Sequence, residues 1–270
     1  MRIRQLLVAA FMVLLVAQGA WAESLTVKGS TTVLPIMQKS VEAYMKANPD
    51  VDISVSGGGS GNGIKAIIDG TTDIAMASRF MKGKEVTLAM EKGVYPVPFA
   101  VGIDALVPVV HPTNPVADLS DTQLRDIFAG RITNWKELGG PDKEIVVISR
   151  DTSSGTYETW EEKIMHKDRV FAGALLQASN GAVVQAVSKN RYAIGYIGYG
   201  YLDASTKALK VSGIEGNPET AASGKYPIAR YLYIFTNGWP EGELAKFVMY
   251  LLNPRQGQVH VKDAGYVPLY

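Results

Sequence analysis

The sequence predicts an α/β protein, because short β-branched runs alternate with amphipathic stretches along most of its length. In chain order these runs predict a strand over 25–27, a helix over 35–47, a strand over 51–55, a helix over 63–69 and a strand over 73–77. Asn48-Pro49 ends the first of these helices, since a residue before proline disfavours helical backbone. Such alternation is typical of a largely parallel sheet covered by helices.

Two longer apolar runs, residues 99–110 and 226–235, predict that the chain forms two lobes. Each run is long for one strand of a single sheet, so each can cross from one lobe to the other. The prediction assigns 23–98 with 234–270 to a first lobe and 99–233 to a second, with hinge crossings near 99–104 and 226–233. A ligand cleft above a two-strand hinge would then separate the lobes.

Three further helices are predicted after the first crossing. Ser120 and Gln123 form a candidate capping box that opens a helix ending near Gly130. Residues 181–188 predict another helix. The stretch 242–252 has apolar residues at helical spacing, so we expect it to pack back on the first lobe.

Residues 1–22 have the pattern of a cleavable secretory signal. Arg2 and Arg4 form its basic start, residues 6–17 are apolar, and Ala20-Trp21-Ala22 is a small-x-small cleavage site. The apolar run is shorter than the roughly 20 residues that span a bilayer. The chain has no cysteine, hence neither a disulfide nor a lipidated cysteine anchor. We therefore expect a freely diffusing periplasmic protein.

Charge and composition exclude some partners. The 270 residues are 47% hydrophobic, enough for a sizeable core, and carry 27 basic against 26 acidic side chains. Removal of Arg2 and Arg4 with the signal keeps this near-balance, so nothing draws the chain generally to nucleic acid or anionic lipid. Any attraction for an anion must come from local hydrogen bonds and a few placed arginines.

Three segments place hydroxyls and glycines where helices are expected to begin: Gly29-Ser30-Thr31-Thr32, the glycine-rich run 56–63, and Arg150-Asp151-Thr152-Ser153-Ser154-Gly155-Thr156. A helix N-terminus leaves backbone N–H groups unpaired and carries partial positive charge. Several such ends converging on one point can hold a dehydrated anion. The pattern therefore predicts a site for a small tetrahedral anion.

Several enzymatic motifs are not met. Gly58 to Lys65 resembles a nucleotide phosphate loop, but the lysine stands one place late and no Ser/Thr follows it. Gly61-Asn62-Gly63 matches a dinucleotide fingerprint only loosely. Neither Ser60 nor Ser154 lies in a Gly-x-Ser-x-Gly elbow, and the three histidines are singly placed. The sequence predicts no metal site and no cofactor.

The loop around Arg150 resembles the phosphate-binding proteins of ABC transporters. So do the segments 29–32, 56–63, 118–136 and 180–198, among which Ile132-Thr133-Asn134-Trp135-Lys136 is a specific signal. The resemblance implies a two-lobe Venus-flytrap fold of the type II-like class, found in periplasmic binding proteins. It also implies high-affinity binding of inorganic phosphate and its delivery to a membrane-embedded ABC permease. We expect a monomer without a nucleic-acid partner.

The resemblance also implies residue roles. The first helix start would offer Thr31 and Thr32, and the glycine-rich turn would offer Ser60. Arg150, oriented by Asp151, would give a charge-assisted contact to phosphate. Ser154, Gly155 and Thr156 would supply N–H and hydroxyl donors from the helix that runs to Met165.

Arg79 departs from the family pattern and completes the predicted phosphate-binding set. Many family members carry an aspartate at this place, which accepts the proton of hydrogen phosphate and so rejects sulfate. With Arg79 in the site, the acceptor would be Asp104, Asp151 or a backbone carbonyl, or discrimination against sulfate would be weaker. The alternative for Arg79 is a lobe-bridging salt bridge away from the ligand.

Two other functions remain open at this stage. One is a receptor for another tetrahedral oxyanion, such as sulfate. The other is a secreted phosphatase, although phosphoryl hydrolysis needs a metal or an activated nucleophile beside the anion donors, and the sequence offers neither.

Overall fold

A computed structural model describes residues 23–270; the predicted secretion signal, residues 1–22, lies outside them. The strands are β1 Glu23–Gly29, β2 Val51–Ser56, β3 Ile74–Ala77, β4 Pro96–Val110, β5 Asp118–Leu119, β6 Val146–Arg150, β7 Leu175–Gln177, β8 Ala193–Gly198, β9 Lys207–Ala208, β10 Lys210–Val211 and β11 Ala229–Asn237. The helices are α1 Leu34–Ala47, α2 Ser60–Ile68, α3 Gly83–Glu91, α4 Asp121–Phe128, α5 Gly155–Lys163, α6 Asn180–Ser188, α7 Pro218–Ala222, α8 Gly242–Leu252 and α9 Gly257–Asp263.

One mixed sheet runs through the described chain in the order β2-β1-β3-β11-β4-β8-β6-β7, and β9 also pairs with β4. Its two ends are parallel, β2-β1-β3 on one side and β8-β6-β7 on the other. The strands between them, β11 and β4, are antiparallel to each other and to their outer neighbours. The α/β class predicted from the alternating pattern is confirmed.

Three hydrophobic clusters among the described residues, two in the first lobe and one in the second, divide the molecule into lobes. The first lobe packs β1–β3 with α1, α2, α8 and neighbouring elements, and its core includes Val101 and Leu232. The second lobe packs β6 and β8 with α4, α5 and α6, and its core includes Ala105 and Ile228. β4 and β11 therefore pass from one core to the other within a few residues. The two-lobe binding-protein fold is confirmed, while the lobe bounds at 98/99 and 233/234 stay predictions.

Local sequence signals explain the helix starts that were predicted correctly. The Ser120 hydroxyl accepts from the Gln123 N–H at 3.2 Å, and the Gln123 side chain accepts from the Ser120 N–H at 2.9 Å. This is the predicted capping box, and it opens α4. Helix α8 occupies residues 242–252 as predicted and packs on α1, where Tyr44 and Phe247 meet edge to face at 5.0 Å.

Helix α2 starts earlier than predicted, and helices α3, α7 and α9 were not predicted. Helix α2 begins at Ser60, nearly one turn before the expected start at residue 63. Gly59 makes this possible because its φ of 101° turns the chain in a conformation that other residues rarely adopt. Helix α3 was not predicted; the Glu85 carboxylate caps it by accepting from the Lys82 N–H at 2.8 Å.

No helix among residues 23–270 is long and apolar enough to cross a membrane.

Candidate anion-binding site

The three predicted loops meet between the lobes. Thr32, at the end of the turn after β1, places its hydroxyl 3.0 Å from the hydroxyl of Thr156, in the first turn of α5. Nearby, the Gly61 N–H of α2 donates to the Ser153 carbonyl at 2.9 Å. The first lobe supplies Thr32 and Gly61 and the second lobe supplies the others, so the sequence segments converge as predicted.

Ser60 lies in a tightly packed part of this junction. It is fully buried, accepts from the Ser78 N–H at 3.0 Å, and has its hydroxyl 3.3 Å from that of Ser78. A Cβ built on Gly155 would lie 2.4 Å from Ser60 Oγ and 2.8 Å from Ser78 Oγ. Only glycine therefore lets the start of α5 approach these two hydroxyls. Ser78, next to Arg79, was not predicted as part of this cluster.

Ser154 is the N-cap of α5. Its hydroxyl is buried and accepts from the backbone N–H groups of Thr156, at 3.2 Å, and Tyr157, at 3.3 Å. The side chain thus fixes the helix start at the junction, where the helix dipole favours negative charge.

Arg150 ends β6 and is almost fully buried. Its Nε and Nη2 donate to the carbonyls of Gln177 and Ala178 at 2.9 and 3.1 Å, which hold the guanidinium plane in place. Its Nη1 is buried without a hydrogen-bond partner. Burial lowers the pKa of the guanidinium, with Tyr196 and Asp151 opposing the shift, yet an arginine stays charged at neutral pH. An unmatched buried cation is a strong attractor for an anion.

Asp151 does not take the place that the resemblance implies. Its Oδ1 accepts from the N–H of Ser153 at 2.9 Å and from the Ser153 hydroxyl. Backbone carbonyls, and not this carboxylate, hold the Arg150 fork by hydrogen bonds. Asp151 instead shapes the loop that leads into α5.

Arg230, on β11, was missed by the sequence reasoning and lies at the centre of the cluster. Its Nη2 donates to the hydroxyls of Thr156, at 3.0 Å, and Thr32, at 3.3 Å. Its Nη1 donates to the Gly155 carbonyl and the Thr159 hydroxyl, both at 3.2 Å. One guanidinium therefore donates to oxygens from both lobes.

Asp104, on β4, balances this charge. It is fully buried, faces Arg230 directly in the strand register, and accepts from Arg230 Nε at 3.0 Å and Nη2 at 2.9 Å. Burial raises the pKa of the Asp104 carboxyl, although Arg230 and the Tyr199 N–H act against the shift. The sequence could have indicated this pair, because Asp104 is the single charged residue in the apolar run 99–110 and Arg230 is the single charged residue in the run 226–235.

Asn180, the first residue of α6, is a second residue of this junction that carried no predicted role. Its side-chain amide donates to the hydroxyls of Thr31 and Thr32, both at 3.1 Å, and its carbonyl accepts from the Gly198 N–H at 3.1 Å. The Tyr201 hydroxyl adds a 2.6 Å bond to the Thr31 carbonyl. These residues belong to the second lobe, so they hold the two threonines of the first lobe in the closed arrangement.

Arg79 follows β3, and its guanidinium is occupied by carboxylates. Nη1 and Nη2 each donate to a Glu85 oxygen at 2.8 Å, Nη1 also donates to the Phe80 carbonyl at 2.9 Å, and Nε is ion-paired with Glu158. This is the arrangement expected of the salt-bridge alternative. Arg230 is the arginine that donates to the hydroxyls of Thr32 and Thr156.

The described junction is thus a set of buried hydroxyls, helix N-termini and two guanidinium groups between two lobes. Such donors suit a tetrahedral oxyanion, and hydroxyls can also accept the proton of one. No group of three or more His, Cys, Asp or Glu residues among positions 23–270 is arranged to hold a metal ion.

Comparison with known proteins agrees with this fold. Residues 16–255 match the family model of the PBP superfamily domain. The phosphate-binding protein PstS of Bacillus subtilis is 33% identical over 98% of this chain and 92% of its own length. A phosphate-binding protein PstS of Borreliella burgdorferi is 31% identical over 90% of this chain and 88% of its own length.

Solved structures give the same result. A putative phosphate ABC transporter substrate-binding protein from Clostridium perfringens, with bound phosphate, superposes with a TM-score of 0.85 at 34% identity, covering 92% of this chain and all of that one. An ABC-type phosphate transport receptor from Vibrio cholerae has a TM-score of 0.73 at 32% identity, covering 90% and 99%. The fold and site define a two-lobe substrate-binding protein of the PBP superfamily.

Within that class, the chain belongs to the PstS family of phosphate-binding proteins.

Proposed function

We propose that this protein binds inorganic phosphate between its lobes and delivers it to an ABC permease for import. The observation that carries the proposal is the buried Arg150 guanidinium, whose Nη1 has no hydrogen-bond partner. Its charge interacts with that of Arg230, which contacts hydroxyls from both lobes. A buried cation held by two carbonyls keeps its geometry when an anion arrives, so little reorganisation opposes binding.

The proposed contacts come from both lobes. The first lobe offers Thr31, Thr32, Ser60 and Ser78, and the second lobe offers Arg150 and the helix start formed by Ser154, Gly155 and Thr156. Arg230 contributes the second positive charge. Its contacts with Thr32 and Thr156, and the ion pairs of Arg79, support placing Arg230 and not Arg79 beside the ligand.

The same proposal covers location and chemistry. The pattern of residues 1–22 supports export to the periplasm with cleavage of the signal, and the named relatives are binding proteins. We infer that the chain is a carrier and not a phosphatase, acting as a monomer and without affinity for nucleic acid. His111 contacts Thr113 and His260 contacts Tyr250, as expected of histidines with packing or surface roles.

The decisive experiment is an isothermal titration of ligand-stripped protein with phosphate, with sulfate as the control. We expect one phosphate per chain, bound more tightly than sulfate. Sulfate binding of equal or greater strength would favour the alternative receptor.

A hydrolysis assay tests the phosphatase alternative. We expect no hydrolysis of an aryl phosphate ester, with or without Zn²⁺ or Mg²⁺. Turnover by the wild-type protein that is lost in a Ser60→Ala variant would instead identify an enzyme.

Ser154→Asp tests the site itself. Aspartate is a good N-cap, so it can still accept from Thr156 and Tyr157 and the helix should remain folded. The added carboxylate, however, repels an anion among donors that normally contribute about 1.5–3 kcal/mol each. We expect phosphate binding to be abolished. Ser154→Asn is the matched control, because it caps α5 without the charge; equal affinities in the two variants would remove Ser154 from the site.

A further inference from the structure

A second group of charges bridges the lobes at the rim of the cleft. Glu158 of α5 is ion-paired with Arg79 and, at 3.0 Å, with Lys82. Only 13% of the Glu158 side chain is exposed, against 10% for Arg79 and 44% for Lys82. These residues line a crevice of about 390 Å³ together with Glu161, Glu162 and Lys167.

The two cations and the carboxylate come from different lobes. Arg79 and Lys82 lie between β3 and α3 of the first lobe, whereas Glu158 lies on α5 of the second lobe. Helix α5 is also the helix whose N-terminus forms the anion-binding junction. Any movement that draws α5 away from Ser60 and Ser78 therefore also separates Glu158 from its two cations.

Arg79 is held ready for this contact by its own lobe. Both Arg79 Nη atoms donate to Glu85 at 2.8 Å, and Glu85 also accepts from the Lys82 N–H. Burial acts to raise the pKa of Glu85, but the hydrogen bonds from Arg79 and Lys82 outweigh it and leave that pKa below its ordinary value. Glu85 is thus ionised at neutral pH and fixes the guanidinium whether or not the lobes meet.

We propose that Arg79, Lys82 and Glu158 form an ionic latch that stabilises the closed lobes and slows the release of the bound anion. The proposal rests on the proposed function, since phosphate is the anion retained. A contact made only in the closed form shifts the open-closed equilibrium, and the apparent affinity rises with the closed fraction. Arg79 would then act on phosphate retention without touching phosphate.

The test compares Glu158→Gln with wild type and with Asp69→Asn. Asp69 is the matched control because it also sits between two lysines, Lys65 and Lys92, but all three belong to the first lobe. We expect Glu158→Gln to weaken phosphate affinity by about two- to tenfold, mostly through faster dissociation in stopped-flow measurements. The deficit should shrink at high ionic strength, and Asp69→Asn should match wild type.

Arg79→Gln and the double variant complete a thermodynamic cycle. If the two residues act through each other, Arg79→Gln should weaken phosphate binding less in the Glu158→Gln variant than it does in the wild-type protein. Fully additive losses would overturn the latch, because they would mean that Arg79 meets the anion independently of Glu158.

The radius of gyration of each ligand-free protein, from small-angle scattering, gives a readout that needs no phosphate. We expect Glu158→Gln to be more open than wild type. If it matches wild type in both scattering and phosphate dissociation, the latch is wrong. If wild type itself does not bind phosphate, the proposed function is wrong, and equal scattering of the two proteins would then overturn the latch as well.

Discussion

The two arginine-carboxylate groups of the cleft differ in where their partners come from. Arg230 and Asp104 lie opposite each other on neighbouring strands that cross between the lobes, and both are buried. Arg79 and Glu158 come from different lobes and meet at the rim. The central pair therefore persists in any arrangement of the lobes and stabilises the fold as well as the proposed site, while the proposed rim latch acts only on lobe closure.

The comparison first predicts a large stability effect at the centre. Arg230→Met leaves the Asp104 carboxylate buried beside Thr32 and Gly198 without its counter-charge. Breaking one side of a buried ion pair typically costs about 3–5 kcal/mol, so the free energy of unfolding in urea should fall by that order. We expect Arg230→Met to abolish phosphate binding as well. Combining it with Asp104→Asn should restore a good part of the lost free energy of unfolding but should not restore phosphate binding. If Arg230→Met and the double variant are equally stable, the unpaired Asp104 carboxylate is not the cause of the loss. The stability role given to the central pair, which separates it from the rim pair, would then be wrong.

The pH dependence of the Arg230→Met variant sharpens the same point. Burial already raises the Asp104 pKa above its ordinary value of 3.8 with Arg230 present, and removing the arginine removes the main opposing effect. A raised folded-state pKa gives stability that is full below the unfolded-state pKa and is lost as the pH rises through the folded value. The variant should therefore unfold more easily at pH 8 than at pH 5 in urea titrations. The double variant with Asp104→Asn should lack this slope; its persistence there would point to another group.

A smaller change, Gly155→Ala, should affect closure and not folding. Its Cβ would lie 2.4 Å from Ser60 Oγ, which belongs to the other lobe, so the clash arises only when the lobes meet. Alanine is otherwise favoured at a helix start over glycine. We expect phosphate affinity to fall at least about tenfold in calorimetry, with thermal stability of the ligand-free protein unchanged or higher. Gly181→Ala on α6 is the control, since its nearest neighbours lie 3.9 Å away; a similar loss there would refute the steric argument.

Local and long-range information explain why one site arginine was predicted and another was missed. Short segments of hydroxyls and glycines around Thr32, Ser60 and Ser154 predict the loops that converge, although α2 begins earlier than predicted. Arg230 meets Asp104 across 126 residues of sequence, and only the strand register of β4 and β11 brings them together. The partner of Arg79 could not be predicted either, because Glu158 lies 79 residues away in the sequence and only the tertiary structure brings the two together. The types of many elements could therefore be predicted from local sequence, whereas the partners of the charged residues could be identified only from the tertiary structure.

The smallest effect is expected at Asp69, whose ion pairs stay within the first lobe. Hydrogen bonds from Lys65 and Lys92 lower its pKa from 3.8 to about 2. A lowered folded-state pKa gives stability that is present above the unfolded value and is lost as the pH falls through the folded one. Asp69→Asn should therefore differ from wild type in acid unfolding only by a shallower loss between about pH 4 and pH 2, and phosphate affinity at neutral pH should be unchanged. Because this carboxylate is solvent-accessible and its ion pairs lie within the first lobe, weakened phosphate binding in Asp69→Asn would mean that surface charge in general sets affinity. The weaker phosphate affinity expected of Glu158→Gln could then no longer be attributed to the lost contact between Arg79 and Glu158.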